Sequence, residues 1–413
     1  MHATKQHSPW YTTVVAGMAS YLDAAGIVST GTALVLYQHA LGLTPGIIGK
    51  LSSLLTIGIA IGAIVGGRLG DRYGRRKVFT VTMILYTLAG VALVFAGSAG
   101  LLYVAIPALG FAVGADLPVS LSMIAEEAPE EHRGKMISFT HILWMVGVLV
   151  TMGIAAIVGD MGRTGGQILY GHLVVVAVVV LVLRSTLPES REWAAAHSSE
   201  AAVADQPGLK DLVKGPYLMP LLGTGLFYAA VNVAANTNGQ FSTYIWVNVA
   251  HSTVRMVSIV GIIATLIAVA SLTFLMKIVD TPNRMKVFTA CAFGCVIAWL
   301  LPIIFGFSPV TLTALAIIYS ISGAVCGEPM WKVWSQELFP TTLRSTAQGT
   351  TTAFTRVVAA LVALWTPSVL SAGPKVLYGF VVALLVIGAL IGIFWLARTP
   401  TAKQREASTD ATE

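Results

Sequence analysis

Gly67-Arg68-Leu69-Gly70-Asp71-Arg72-Tyr73-Gly74-Arg75-Arg76-Lys77-Val78-Phe79 is the stretch on which the fold turns. It sets five basic residues and an aspartate in a short polar turn between two long apolar runs. The turn returns 209 residues later as Asp280-Thr281-Pro282-Asn283-Arg284-Met285-Lys286-Val287-Phe288, with Asp, Arg, Lys, Val and Phe in register. Glu126, Pro129 and Arg133 return 211 residues later as Glu337, Pro340 and Arg344, and Pro118 returns as Pro329. One such match is weak evidence. Three at nearly one offset describe a chain made of two parallel copies of one unit.

The runs on either side of these turns say what kind of unit it is. Of 413 residues, 56% are apolar and only 11% are charged. Soluble domains average about 25% charged residues, so a water-facing surface cannot be assembled from this composition. Disorder needs low hydrophobicity and is excluded as well. A membrane span takes about 20 mostly apolar residues. Twelve such runs are readable: 10–37, 46–67, 78–97, 101–125, 136–159, 167–186, 217–247, 254–278, 287–306, 309–335, 347–370 and 375–397. The expected fold is all-α and integral to the membrane, with twelve transmembrane helices in two pseudo-symmetric six-helix halves. The expected divisions are a tail over 1–9, bundles over 10–186 and 216–397, a polar linker over 187–215, and a tail over 398–413. The first run is long enough to span and shows no clear cleavage site, so it reads as a span and not a signal peptide.

Positive charge gives the orientation. With an even number of spans both termini share a side. On that side fall 19 of the 25 basic residues, among them Arg68, Arg72, Arg75, Arg76, Lys77, Arg133, Arg184, Arg284 and Arg344. Lys50, Arg163, Arg255 and Lys375 fall on the other. Both termini are therefore expected in the cytoplasm, in a multi-pass protein of the cell membrane, the bacterial inner membrane being the expected one. The formal charge of +6 is accounted for by topology, with no nucleic acid partner. Cys291, Cys295 and Cys326 all lie in apolar runs and read as small buried residues. The chain has no metal-ligand cluster, nucleophile triad or Gly-x-x-x-x-Gly-Lys phosphate loop, so neither an enzyme nor a cofactor or metal is expected.

The 67–76 turn resembles the signature loop of the major facilitator superfamily, G-x-L-x-D-R-x-G-R-[RK], at every defined position. Leu187-Pro188-Glu189-Ser190-Arg191-Glu192-Trp193, together with the Glu-Pro-Arg patterns ending spans four and ten, resembles the sugar-porter-like, metabolite:proton symporter branch. The resemblance covers residues 10–397. It implies a secondary transporter working by alternating access, with a solute site between the halves near mid-membrane. It also implies a cytoplasmic gate at Asp71, Arg72, Arg75, Glu126, Arg133, Asp280, Arg284, Glu337 and Arg344. Such charges can pair across helix ends when that side is closed and part when it opens. Each exposed pair contributes only about 0–1 kcal/mol, which suits a gate.

An ionisable residue inside a span is costly and marks function. Five stand out: Asp23, Asp116, Glu328, Lys332 and Arg356. At 1.5 Å per residue, ten residues correspond to roughly 15 Å. Asp23, Asp116, Glu328 and Arg356 therefore lie near the middle of their spans. Asp23, in Gly17-Met18-Ala19-Ser20-Tyr21-Leu22-Asp23, resembles the span-one Asp that carries the coupling proton in sugar porters. Asp116, beside Pro118, is the second candidate carrier. Where that branch places a partner Arg in span four, this chain has Ile106. Glu328 and Lys332, four apart, can pair along the helix. Alternatively Arg356 pairs Glu328 and leaves Lys332 for an anionic solute; Arg356, the usual fork for a carboxylate, is itself a candidate solute or relay residue, and Glu328 and Lys332 are candidates to line the solute cavity.

Span seven is unusually polar. Asn232, Asn236 and Gln240 recur every four residues on one face, which must point inward. With Tyr244 they are candidates for solute binding, and Gly239 is expected to let the helix bend. His141 and Trp144 on span five, and Trp331 and Trp334 on span ten, can frame the pocket, with His172 a weaker candidate. Glutamines used by sugar porters are replaced by Val148, Leu226 and Phe227, and the exporter-type proline of span five is missing. The expected function is proton-coupled uptake of a small organic acid or related metabolite by a monomer in the lipid bilayer. A sugar:proton symporter, a proton-driven exporter and a transporter-like solute sensor are the alternatives.

Overall fold

The computed structural model describes residues 8–129, 132–190, 194, 212, 215–279, 281–339, 341–402 and 404–405. Asp280 lies outside them, as do the side chains of Asp71, Arg133 and Arg344. The helices are α1 (Pro9–Tyr37), α2 (Pro45–Tyr73), α3 (Arg75–Val94), α4 (Ala99–Glu127), α5 (Arg133–Val158), α6 (Arg163–Ser185), α7 (Leu218–Tyr244), α8 (Val254–Ile278), α9 (Arg284–Phe305), α10 (Pro309–Cys326), α11 (Glu328–Glu337), α12 (Thr341–Ala372) and α13 (Pro374–Leu390). They supply twelve spans, α10 and α11 together making the tenth.

Local chemistry sets the helix starts. Proline occupies the first turn of α1, α2, α10, α11 and α13, where its missing N–H costs nothing. Thr44 and Thr253 accept hydrogen bonds from the third residue on, and Ser308 forms a capping box with Thr311. On α2, Ile57, Ile61 and Ile64 are exposed at helical spacing, as are Val175, Val178, Val179 and Val182 on α6. Both faces are apolar and exposed. In contrast α1 is buried along nearly its whole length, so its polar residues meet protein and not hydrocarbon.

Two spans are not uniform α-helices. The tenth is broken at Gly327, so that Glu328 and Pro329 open a second helix at mid-span. The seventh is α-helical through Gly239 and passes into a wider turn over Ile245–Val249. Gly239 is exposed and a Cβ there would meet nothing within 4 Å.

The two halves touch at the end away from the termini. There α1 crosses α7 so closely that a Cβ on Gly31 would lie 2.5 Å from the Gln240 carbonyl oxygen, and the hydroxyls of Thr32 and Thr243 are 3.1 Å apart. The Gln240 amide donates to Thr56 on α2 at 2.8 Å, and Ser53 donates to the Ala360 carbonyl at 2.9 Å. Arg255 at the start of α8 donates to the Ala156 carbonyl and lies 3.5 Å from Asp160, beyond the end of α5. These contacts form a floor beneath the central site.

Candidate functional site

Asp23 sits on the buried face of α1 and is 4% exposed. Its Oδ2 accepts a hydrogen bond of 3.1 Å from the Trp144 indole N–H on α5. His141, one turn earlier on α5, stacks parallel to Trp144 at 6.0 Å. Ile106 is fully buried in the core. The span-four partner is thus replaced by an indole N–H from span five, and Asp23 also feels the charges of Arg356 and Glu328 across the central space.

The second half supplies the cations. Lys332 Nζ lies 2.7 Å from Glu328 Oε1, one turn apart on α11. Their side chains are 50% and 42% exposed, so the pair borders open space and contributes only about 0–1 kcal/mol. Of the two pairings open to Glu328, the structure has the one with Lys332. Arg356 on α12 is half-buried and has no hydrogen-bond or ion-pair partner among the described residues. Trp331 is buried and stacked at 4.0 Å on Tyr228 of α7, its indole N–H unpartnered. Trp334 faces away, packed against Phe227 and Phe288 in the core, and His172 is bound to the Tyr21 hydroxyl at 2.7 Å.

On α7 the amide face is continuous: Gln240 donates to Asn236 Oδ1 at 3.1 Å. Asn232 Oδ1 and Gln240 Oε1 are buried and unpartnered. Asn238 and Ser242, on the far side of the helix, line a crevice with Trp299 and Tyr378 instead. Tyr244 is buried beyond the α1–α7 crossing, on the floor side, so it is set apart from the other solute candidates.

Asp116 is a correction. It is fully buried and ion-paired to Arg184 of α6, and it accepts from Thr82 at 3.0 Å. Arg184, read from sequence as one of the charges that set topology, points inward with only 1% of its side chain exposed. Its guanidinium also donates to Ser120 at 3.1 Å and to the Val15 and Ala16 carbonyls, and it lies 4.3 Å from the Phe79 ring centre. The partners of Asp116 among the described residues are thus Arg184, Thr82 and Ser120, all within the first half. Nothing in the local sequence of span six marks Arg184 as inward-facing.

At the end bearing the termini, the repeated motifs form the same contact twice. Arg75 at the start of α3 grips Glu126 at the end of α4 with two bonds, of 2.6 and 3.3 Å. Arg284 at the start of α9 grips Glu337 at the end of α11 with bonds of 2.6 and 3.1 Å. Each pair lies within one half and bridges two of its helices; neither joins the halves. Arg72 is exposed beside Tyr73. Glu189, in the Pro188-Glu189-Ser190 motif, caps α3 by accepting from the backbone N–H groups of Arg75 and Arg76. An anion is favoured at that helix N-terminus. A Cβ on Gly74, whose φ is +95°, would strike the Glu189 carboxylate.

Twelve spans in two matching halves, with ionisable groups meeting between them at mid-span, define a solute transporter of the membrane. The chain belongs to the Major Facilitator Superfamily, whose profile matches residues 12–364. It is 29% identical over 394 residues to the minor myo-inositol transporter IolF of Bacillus subtilis, covering 92% of this chain and 89% of that one. It is 32% identical over 178 residues to the niacin transporter NiaP of Acinetobacter baylyi, covering 43% of this chain and 40% of that one. Its fold matches the inward open conformation of the xylose transporter XylE from E. coli, with a TM-score of 0.75 at 17% identity, covering 97% of this chain and all of that one. The chain is therefore a multi-pass membrane transporter of small solutes and not an enzyme.

Proposed function

We propose that the chain is a proton-coupled symporter that takes up a small organic acid or related metabolite across the cell membrane, by rocking its halves about the central site. The observation that carries this reading is the buried Asp23, bound to the Trp144 indole and facing the unpaired Arg356 across the space between the halves. A buried carboxylate that changes charge on binding a proton is the group a coupled carrier requires. Asp116 has no part in coupling; it braces the first half. Asn232, Asn236, Gln240, His141, Trp144, Glu328, Lys332 and Arg356 surround the solute. Both termini face the cytoplasm, following the positive charge. The Arg75–Glu126 and Arg284–Glu337 pairs keep each half rigid, and Asp71, Arg72, Arg133, Asp280 and Arg344 complete the cytoplasmic gate around them. The carrier works as a monomer.

A polyol is the second reading, favoured by the three amides of α7 and by the likeness to a myo-inositol transporter. Uptake of labelled solutes into proteoliposomes under an imposed pH gradient tests both. Asp23→Asn is expected to abolish accumulation driven by the gradient while leaving exchange of solute intact. Full accumulation by that variant would remove Asp23 from coupling.

A further inference from the structure

Among the described residues, the charged side chains that meet in the central space are Asp23, Glu328, Lys332 and Arg356. Glu328 and Lys332 cancel each other at 2.7 Å. Arg356 has no bonded partner among the described residues, and Asp23 is held by a neutral indole. Around Asp23 stand Tyr86 of α3, Trp144 of α5, Tyr228 of α7, Glu328 of α11 and Arg356 of α12, while His141 faces Glu328 and Lys332. With Asp23 ionised, the four charges sum to zero. With Asp23 protonated, the charge of Arg356 is left uncompensated.

That difference selects the solute. An uncompensated charge is expensive to carry through the hydrocarbon. A monoanion at Arg356 restores neutrality to the protonated site, whereas a neutral solute leaves a positive charge and a dianion a negative one. The two forms that cross cheaply are then the empty carrier with Asp23 ionised and the carrier loaded with both proton and monoanion. The planar fork of Arg356 suits a carboxylate. The second requirement comes from α7, where Asn232 Oδ1 and Gln240 Oε1 are buried acceptors without donors. A carboxylate has no hydrogen to give them, whereas hydroxyl groups have.

We propose that the solute is a hydroxylated monocarboxylate carried electroneutrally with a proton, its carboxylate on Arg356, its hydroxyls on the amides of α7 and the proton on Asp23. This rests on the proton-coupled reading above and adds the charge and chemistry of the solute.

The test uses the purified full chain in proteoliposomes, with labelled D-gluconate and D-glucuronate as monoanions and myo-inositol and D-xylose as neutral probes. The pH gradient and the membrane potential are imposed separately. The expected result is that acid outside drives uptake of at least one monoanion, at a rate that potentials of either sign leave unchanged. Arg356→Gln is expected to cut that uptake by about tenfold or more, the size of one lost charge-assisted hydrogen bond, and Arg356→Lys to retain part of it. If the gradient drives only the neutral probes, faster with the inside negative, this inference falls and proton coupling stands. Monoanion uptake that follows the potential overturns the charge balance. A gradient that drives none of the four overturns both readings.

Discussion

Removing the positive member of the Asp116–Arg184 pair gives the sharpest test of the division between structural and coupling charges. Arg184→Met leaves the Asp116 carboxylate fully buried with only the hydroxyls of Thr82 and Ser120 within reach. The Val15 and Ala16 carbonyls lose nothing essential, since both lie inside α1 and its helical bonds. Breaking a buried pair by deleting one partner costs about 3–5 kcal/mol. For a unit of 150–250 residues each kcal/mol moves the melting temperature by about 2–4 °C, so the apparent Tm should fall by roughly 6–20 °C. Exchanging both partners for apolar residues, Asp116→Leu with Arg184→Met, should recover most of that loss, because no charge remains buried. The assay is intrinsic-fluorescence melting of the purified protein in detergent, with pH-driven uptake measured in parallel. If Arg184→Met melts with the native protein, the enclosure of Asp116 is misread. If Asp116→Asn melts normally yet loses pH-driven uptake, Asp116 is a proton carrier after all.

Three further outcomes follow from the geometry. Trp144→Phe keeps a ring against His141 but deletes the 3.1 Å bond to Asp23; a hydrogen bond to a charged group is worth about 1.5–3 kcal/mol, so pH-driven uptake should fall sharply and the apparent Tm should drop by roughly 3–12 °C. Gly31→Val forces methyl groups into the crossing with α7. Overpacking of about 1–3 kcal/mol should open the floor, raising maleimide labelling of a cysteine placed at Asn236 from the side away from the termini, in a background lacking the native cysteines. Glu126→Gln should destabilise the protein more than Glu337→Gln. The Arg75–Glu126 pair is 8% and 14% exposed against 23% and 32% for Arg284–Glu337, and water weakens the second pair more. Equal melting shifts would count against that ranking.

Much of the carrier could be read from residues alone, because a span is a local matter. Each apolar run between Trp10 and Arg398 has its own transfer free energy into lipid, so its existence does not depend on its neighbours. The repeated Asp-Arg-Lys-Val-Phe turn and the Glu-Pro-Arg pattern likewise announced two matching halves. The paired contacts Arg75–Glu126 and Arg284–Glu337 are their three-dimensional form. That Asp23, Glu328, Lys332 and Arg356 needed explaining was also visible, since few charges can stand in the hydrocarbon.

Which charge answers which was decided only by tertiary structure. Arg184 and Asp116 are 68 residues apart, and their meeting depends on how α4 and α6 are rotated against α1, which no local pattern encodes. The same holds for the indole of Trp144 reaching Asp23 from 121 residues away. For Glu328 the sequence left two partners open, Lys332 four residues on and Arg356 on another span, and the bundle has it bonded to Lys332. Sequence determined how many helices cross and that charges lie within them, because those follow from the solvent each segment meets. The fold determined which of those charges are sealed in pairs and which has no bonded partner among the described residues, because pairing at a few ångströms depends on helix rotation and packing that only the assembled bundle defines.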